Sequence, residues 1–386
     1  MKLRILLISS IVPREKAAAA SIVLHRHLAN LPNIELTCAS DRLQDSCAND
    51  IVIDPNPTIS RLCKTRFARI AHSIRHLAIT ENHTQLRLHI QNQPPHLILT
   101  VAHDPLCWLA QKLSHRFKIP LVTFFHDWLP DIALVPDWIR PVLEKKFRRL
   151  YARSQLAFCV SDEMKTALGH CSHARVLYPI PGYSEHILVR RNFPASSPFS
   201  IVYAGNLSNI YSPGLKAFAS FVQKTDDFKL KLFGPQPDWP NATIEQYVKK
   251  KIYGGFLSRR NLLDQLSQAD SLLLTMSFNS QDKRRTQTSF PSKLLEYCQF
   301  GKPIVIWGPE YCSAVRWGRK HQAALIVTSP STQDLVDAIR DLVNHPEEQK
   351  RLGDKALEMS EGIFCSENIQ QQFIEGIRQI VSFNSY

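Results

Sequence analysis

Residues 289–306 read Ser-Phe-Pro-Ser-Lys-Leu-Leu-Glu-Tyr-Cys-Gln-Phe-Gly-Lys-Pro-Ile-Val-Ile, and this stretch decides the fold. Pro291 suits the first position of a helix, where its missing N–H costs nothing, and a nearby serine can help to cap that helix. Gly301 suits the position just after a helix, and a proline follows two residues later. Ile304–Ile306 is short and apolar, as a buried strand is. The stretch therefore predicts a loop, a short helix, a turn and a strand.

The start of this helix is suited to an anion. Free N–H groups and the positive end of the helix dipole attract phosphate. Lys293 adds a cation in the first turn, and Glu296 lies one turn further on. A carboxylate there can accept hydrogen bonds from the two hydroxyls of a ribose, as acidic residues do in other nucleotide sites. On spacing alone, a capped surface helix with a solvated lysine and glutamate stays an open alternative.

Short apolar runs alternate with amphipathic stretches on both sides of this stretch, which predicts parallel sheets covered by helices. The predicted strands are Leu3–Ser9, Ile34–Ala39, Leu97–Val101, Leu121–Phe125, Leu156–Val160, Arg175–Leu177, Ser200–Ala204, Lys229–Phe233, Ile252–Gly254, Ser271–Thr275, Pro303–Ile306 and Ala324–Val327. The predicted helices are Ala17–Ala29, Pro105–Phe117, Pro141–Arg153, Pro213–Gln223, Arg259–Gln268, Pro291–Gln299, Thr332–Asn344, Pro346–Met359 and Ser366–Ser382. Residues 59–91 are basic and mostly helical in pattern.

The alternation stops once, in a proline-rich segment, and then starts again. We predict a first domain over residues 1–186, a linker over 187–198, a second domain over 199–365 and a C-terminal helix over 366–386. The fold class is α/β, with two Rossmann-like, doubly wound domains facing each other across a cleft. Ligands of such sheets bind at the carboxyl ends of the strands, so the cleft is the expected site.

Composition narrows the class of protein. The 386 residues are 44% hydrophobic and carry a net charge of +13, which favours an anionic partner. None of the nine cysteines forms a Cys-x-x-Cys pair, so a zinc ribbon is not predicted. The apolar N-terminus is short and is followed by charges, so it suits a first strand better than a signal peptide. We expect a soluble, cytoplasmic protein with reduced thiols.

Residues 290–297, followed by Gly301-Lys302-Pro303, resemble the donor-site signature of GT-B glycosyltransferases, especially the family 4-like enzymes. The resemblance implies that the second domain binds a nucleoside-diphosphate sugar and the first an acceptor. It also implies that Glu296 holds the ribose and that the turn over 289–293 approaches the diphosphate. The donor-site residues expected from this stretch are Ser289, Phe290, Pro291, Ser292, Lys293 and Glu296.

Three glycine turns of the second half also resemble the donor domain of this family. Each follows an apolar run, where glycine permits close approach of the backbone to a ligand. The residues implied at the nucleotide-sugar are Gly205, Asn206, Gly234, Pro235, Gly255 and Phe256.

In the first half, the resemblance implies a catalytic histidine at the end of a strand. His126 follows the run over 121–125, and the adjacent Asp127 is the carboxylate expected to take part in catalysis. His103 and Asp104 end the preceding strand and form a second candidate pair. A core histidine is the alternative for His126.

The sequence departs from the family pattern at two places. Thr288 stands where the first of two glutamates is usual, eight residues before Glu296. The turn after Gly205 lacks the usual arginine and lysine, so the diphosphate needs other cations. We expect these from Lys283, Arg284 and Arg285 in the loop before the signature.

The expected activity is metal-independent glycosyl transfer with retention, without a cofactor, in cell-surface polysaccharide or glycolipid assembly. The partners are a nucleotide-sugar and a saccharide or lipid-linked acceptor. Basic residues over 61–87 and 145–149 predict contact with an anionic membrane surface, or else form solvated helix faces. A catalytically degenerate GT-B binding protein and a basic nucleic-acid-binding protein stay open as alternatives. A dinucleotide oxidoreductase is not predicted, because no Gly-x-Gly-x-x-Gly follows the first strand.

Overall fold

The computed structural model describes residues 2–15, 19–42, 50–54, 56–81, 83–182 and 198–382. The chain divides into two compact units, one of Met1–Ile180 with Ile369–Tyr386 and one of Pro181–Asn368. Each unit has its own sheet and its own core. All but one residue of the linker predicted over 187–198 lies outside the described residues.

Unit 1 is built on a seven-stranded sheet in which every pair is parallel. Its strands are β1 (Leu3–Ile8), β2 (Ile34–Ser40), β3 (Ile51–Val52), β4 (Leu97–Val101), β5 (Leu121–Phe125), β6 (Leu156–Cys159) and β7 (Ala174–Val176). The order is β3-β2-β1-β4-β5-β6-β7, so the winding reverses between β1 and β4. The central strands are buried because helices cover the sheet. The helices of this part of the chain are α1 (Ala19–Ala29), α2 (Pro57–Leu62), α3 (Ala68–Leu77), α4 (Thr84–Asn92), α5 (Leu106–Phe117), α6 (Leu129–Ile132), α7 (Arg140–Arg153) and α8 (Asp162–Leu168).

Unit 2 repeats the plan with five parallel strands in the order β12-β11-β10-β8-β9. The strands are β8 (Phe199–Ala204), β9 (Phe228–Phe233), β10 (Ser271–Thr275), β11 (Ile304–Trp307) and β12 (Leu325–Val327). The winding reverses between β8 and β10, which marks the expected ligand edge. The helices that follow Pro181 are α9 (Ser212–Val222), α10 (Asn241–Lys249), α11 (Arg259–Gln268), α12 (Lys283–Thr288), α13 (Ser292–Cys298), α14 (Ser313–His321), α15 (Thr332–Asn344), α16 (Pro346–Glu361) and α17 (Ser366–Ser382).

The last helix, α17, packs its apolar face on the sheet of unit 1. The ring of Phe373 is fully buried and lies with its centroid 5.5 Å from that of Phe158 and 5.8 Å from that of Phe124. The side-chain amide of Gln370 donates to the backbone carbonyl of His27 over 2.9 Å. Helix α17 from Ile369 onward therefore belongs to unit 1 by its packing as well as by the division of the chain.

The structure corrects several predictions. Residues 252–254 form no strand, since only Tyr253 makes a single bridge to Leu232. The loop predicted over 283–285 is helix α12. Pro291 is the residue before α13 rather than its first residue, and no serine side chain caps that helix. The elements β3, α6, α10, α12 and α14 were not predicted.

Within the described part of the chain, no helix is both long and apolar enough to span a bilayer.

Candidate functional site

The ammonium of Lys293 lies between two tyrosine rings at the ligand edge of unit 2. Its Nζ atom is 4.1 Å from the ring centroid of Tyr203 and 4.4 Å from that of Tyr211. The same Nζ donates a hydrogen bond to the hydroxyl of Tyr203. Rings at this distance attract a cation through their negative faces. Lys293 is thus held in one place, at the end of β8.

The backbone of Gly205 makes room for this lysine. Gly205 follows β8 with φ +139°, and a Cβ atom at this position would collide with the Lys293 side chain. The next glycine turn meets the first, because a Cβ atom at Gly234 would strike the carbonyl oxygen of Gly205. The N–H of Gly234 donates to the carbonyl of Gly255 over 2.9 Å. The three predicted glycine turns therefore lie side by side.

Helix α13 is fastened to β8 by Tyr297. Its hydroxyl accepts a hydrogen bond from the backbone N–H of Ala204 over 2.8 Å, and the ring is buried. At the other end of the helix, the hydroxyl of Ser313 donates to the carbonyl of Ser289. These contacts fix the helix that carries Lys293 and Glu296.

Burial sets the protonation of Lys293 and Tyr203, which together with Tyr211 form what we call the Lys293 cluster. Desolvation lowers the pKa of Lys293 to about 7, although the nearby Glu296 carboxylate acts to raise it. Burial also raises the pKa of Tyr203 well above its usual value, so its ring stays neutral. The Tyr203 hydroxyl donates to the carbonyl of Asn206 over 2.6 Å, which leaves its oxygen to accept from the lysine. A bound anion would favour the charged form of Lys293.

The other donor-site residues predicted from the sequence differ in burial. Glu296 and Ser292 are half-buried on α13, with Lys293. The ring of Phe290 is buried against Trp317 and Phe364, with centroid distances of 6.4 and 6.0 Å. Phe290 therefore fixes the turn before α13 to the core of unit 2. The predicted residues exposed on the glycine turns are Asn206, Pro235 and Phe256.

The three cations predicted to replace the missing arginine and lysine lie on α12. Lys283 and Arg284 are exposed, and Arg285 is half-buried. The Lys283 ammonium lies 5.3 Å from the ring centroid of Tyr311. The hydroxyl of Thr288 donates to the carbonyl of Arg284 over 2.8 Å and is buried within the helix.

In unit 1, His126 and Asp127 follow β5 at the carboxyl edge of the sheet. The His126 ring packs edge-on against Phe124, with centroids 5.6 Å apart. Burial lowers the pKa of His126 to about 4, with Asp127 acting in the opposite direction, so the ring is neutral at pH 7. The carboxylate of Asp127 lies 4.0 Å from Nδ1 of His103. These three side chains share one corner of the sheet.

Asp104, in contrast, is structural. It is buried, and it accepts hydrogen bonds from the backbone N–H groups of Leu106 over 2.7 Å and Ser10 over 3.1 Å. The first bond fixes the turn that leads into α5, and the second ties the ends of β1 and β4 together. Of the second candidate pair, His103 therefore lies near Asp127, whereas Asp104 holds the backbone at the ends of β1 and β4.

Sequence reasoning missed three tyrosines of the site: Tyr203, Tyr211 and Tyr297. Tyr203 lies in an apolar strand and Tyr297 in an apolar helix face, so both look like ordinary core residues. The signal that could have found them is the absence of cations after Gly205, because a lone lysine then needs other groups to hold it.

Comparison with known proteins shows the family to which this chain belongs. Residues 33–179 match the family model described as Glycosyltransferase Family 4, and residues 191–359 match the one described as Glycosyl transferases group 1. The fold defines the class, which is the GT-B class with two Rossmann-like domains. Within it, the chain belongs to the family 4-like glycosyltransferases, and its reaction is sugar transfer.

Solved structures share the fold at low identity. The chain is similar to a sucrose-phosphate synthase from Thermosynechococcus elongatus at 13% identity, with a TM-score of 0.68 and full coverage of both chains. It is similar to HepE from Anabaena, solved with UDP and glucose, at 14% identity and TM-score 0.64, over 98% of this chain and 100% of that one. It is also similar to the lipopolysaccharide outer core galactosyltransferase WaaB, at 15% identity and TM-score 0.61, over 98% and 99%. No curated protein matches the sequence.

Proposed function

We propose that the protein transfers a sugar from a nucleoside-diphosphate donor bound by unit 2 to a saccharide or lipid-linked acceptor. The observation that carries the proposal is the Lys293 cluster, a cation held by Tyr203 and Tyr211 beside the closely packed turns at Gly205 and Gly234. A diphosphate leaving group gains negative charge as the glycosidic bond breaks. A fixed cation in a half-buried site stabilises that charge more than a solvated one does.

Each donor-site residue has a proposed part. Lys293 neutralises the diphosphate, and Glu296 on the same helix accepts from the ribose hydroxyls. The turns at Gly205, Gly234 and Gly255 let the backbone approach the nucleotide. A cation that sits on the protein can do the electrostatic work of a metal ion, so we propose that transfer needs none.

In unit 1, His126 is proposed to face the acceptor. A neutral imidazole can accept a hydrogen bond from an acceptor hydroxyl, and its pKa of about 4 keeps it neutral across the physiological range. Asp127 beside it is the proposed carboxylate partner. We propose retention of configuration, which the anomeric proton coupling of the product tests.

Two similar structures support the choice of substrates. HepE was solved with UDP and glucose, and WaaB is described as a lipopolysaccharide galactosyltransferase. We propose by analogy that this chain acts in cell-surface polysaccharide or glycolipid assembly, in the cytoplasm or at the inner face of the membrane.

Thermal unfolding with UDP, GDP, ADP, TDP and CMP, each with and without EDTA, tests the donor site. A nucleotide at about 100 times its dissociation constant should stabilise the protein by about 2.7 kcal/mol, or several degrees. The shift should persist in EDTA and be lost in Glu296→Ala. Glu245→Ala, an exposed glutamate on α10, is the matched control and should keep it.

If none of the five nucleotides raises the unfolding temperature, the proposed donor site is wrong. A shift without transfer or donor hydrolysis would favour a degenerate binding protein instead, for which Thr288 is the motivating residue. Thr288 has a hydroxyl where the usual glutamate has a carboxylate, and that hydroxyl already donates a hydrogen bond inside α12.

A further inference from the structure

Helix α3 in unit 1 has an apolar face that the rest of the described structure leaves open to solvent. Phe67, Ile70, Ile74 and Leu77 are spaced three or four residues apart, so they form one stripe along the helix. Their exposed fractions are 46%, 52%, 39% and 41%, respectively. We call these four residues the α3 face. A continuous apolar stripe of this kind marks a contact surface.

The charge around the α3 face has one sign. Residues 56–80 contain five arginines and lysines and no aspartate or glutamate. Arg61, Lys64, Arg66 and Arg69 are exposed on α2, on α3 or on the turn between them. The Arg66 guanidinium lies 5.0 Å from the ring centroid of Phe67, so positive charge directly borders the apolar stripe. Basic residues beside an apolar helix face are typical of helices that lie in the interface of an anionic bilayer.

The opposite side of α3 is fixed to the body of unit 1. Arg75 pairs with Asp41 over 2.7 Å. Nδ1 of the buried His76 accepts a hydrogen bond from the indole N–H of Trp108 over 3.2 Å. The α3 face is therefore presented on a helix that is already packed, and docking needs no folding step.

The second basic run of the sequence, on α7, is used differently. Lys146 donates to the carbonyl of His76, and burial lowers its pKa to about 8. Arg148 pairs with Glu144 over 2.9 Å and donates to the carbonyl of Ala167 over 2.8 Å. Two of its four cations thus hold the fold together, so the α3 region is the stronger candidate.

A cavity of about 220 Å³ opens beside the α3 face. Ile74 belongs to both, and Ile59 and Ile79 add apolar lining. Asp41 and Arg75 line the polar side, at the carboxyl edge of the sheet. A surface that touches lipid would therefore lie next to a cavity with polar and apolar walls.

We propose that the α3 face, with the basic residues around it, docks on an anionic lipid bilayer. The link to a lipid-linked acceptor rests on the proposed function, whereas docking itself does not. The four apolar side chains enter the boundary between head groups and acyl chains, and Arg61, Lys64, Arg66 and Arg69 contact the anionic head groups. The adjacent cavity then faces the head-group layer.

Co-sedimentation of the purified protein with vesicles tests docking. We expect binding to phosphatidylcholine vesicles that contain phosphatidylglycerol, weakening as salt is added, and little binding to phosphatidylcholine alone. Arg66→Gln with Arg69→Gln should weaken binding by about fivefold for each charge removed. Phe67→Ser with Ile70→Ser should weaken it by roughly tenfold or more, since both side chains lose their burial in the bilayer.

Matched controls lie at the C-terminal end of α10 in unit 2. Val248 has the same exposed fraction as Ile70, 52%, and Lys249 and Lys250 are also exposed. Val248→Ser and Lys249→Gln with Lys250→Gln should bind vesicles like the wild type. Unchanged binding by the α3 variants, or an equal loss in the controls, would overturn the proposal.

Two further readouts separate the alternatives. A dimer in sedimentation velocity that Phe67→Ser with Ile70→Ser dissolves, without vesicle binding by the wild type, would overturn the proposal and identify a contact between two copies of the chain. The nucleotide-induced thermal shift, measured on every variant, reports folding and the donor site separately. Vesicle binding without any nucleotide shift would refute the proposed function and leave docking standing.

Discussion

At the scale of single residues, the proposed role of Lys293 predicts that donor binding depends on pH. Its pKa is lowered to about 7 by burial, and a bound diphosphate favours the charged form, so binding takes up a proton above that pH. The dissociation constant should be flat below about pH 6.5 and rise roughly twentyfold between about pH 6.5 and 8.5. Calorimetry with a nucleotide-sugar measures this, because its diphosphate does not titrate in that range.

The matched variant for this prediction is Lys293→Arg. A guanidinium stays charged throughout, so its affinity should no longer vary with pH, whatever its absolute value. Buffers of different ionisation enthalpy should show proton uptake for the wild type at pH 8 and none for the variant. Equal pH profiles in the two proteins would show that Lys293 does not meet the diphosphate.

The two rings that hold Lys293 give a second residue-scale prediction. Tyr211 keeps its ring 4.4 Å from the ammonium. Tyr211→Phe preserves the ring face and should change donor affinity by less than about twofold, whereas Tyr211→Leu removes the face and should weaken binding by about three- to tenfold. A thermal shift titration compares them. If Phe and Leu variants bind equally, the ring has only a packing role.

At the scale of elements, the strands that the sequence predicted best are those marked by an unbroken apolar run. Leu97–Val101, Leu121–Phe125 and Ser271–Thr275 were predicted at their observed bounds, because fully buried strands of parallel sheets are continuous apolar runs. Beyond these strands, the hydroxyl of Ser161 caps α8 by accepting from the N–H of Met164 over 2.9 Å.

One of the missed elements, α12, has no such pattern. Helix α12 reads Lys-Arg-Arg-Thr-Gln-Thr, and its buried residues are the threonines at 286 and 288, so no apolar period exists to detect. The site shows the same limit. Lys293 and Glu296 could be predicted from their place on a helix, but the contact of Lys293 with Tyr203 joins residues 90 positions apart. Nothing local encodes such a pair.

Helix α17 gives the prediction at this scale. Phe373 is fully buried against Phe124 and Phe158. Phe373→Ala should destabilise unit 1 by about 3–5 kcal/mol, because a large ring leaves a cavity in a packed core. Denaturant unfolding measures the loss, and Val248→Ala, at an exposed position, should stay within about 0.5 kcal/mol of the wild type. A small loss in Phe373→Ala would mean that α17 contributes little to this core.

At the scale of the whole molecule, the proposed donor site lies in only one of the two units that have their own cores. Lys293, Glu296 and the glycine turns all lie in Pro181–Asn368, so a nucleotide should stabilise the unfolding transition of unit 2. Leu273 is buried in the core of that unit. Leu273→Ala leaves a cavity there and should lower the free energy of unfolding of unit 2 by about 2–5 kcal/mol. Calorimetric scans of the two core variants assign the transitions.

The expected result is a crossed pattern. In Phe373→Ala the transition of unit 1 falls while the nucleotide still raises the other one, and in Leu273→Ala the transition that falls is the one that the nucleotide raises. Because the two sheets have separate cores, a mutation in one should leave the heat of unfolding of the other intact. A single transition that both mutations lower and the nucleotide raises would show that the units unfold together, and a nucleotide effect on unit 1 would place donor contacts outside the residues named above.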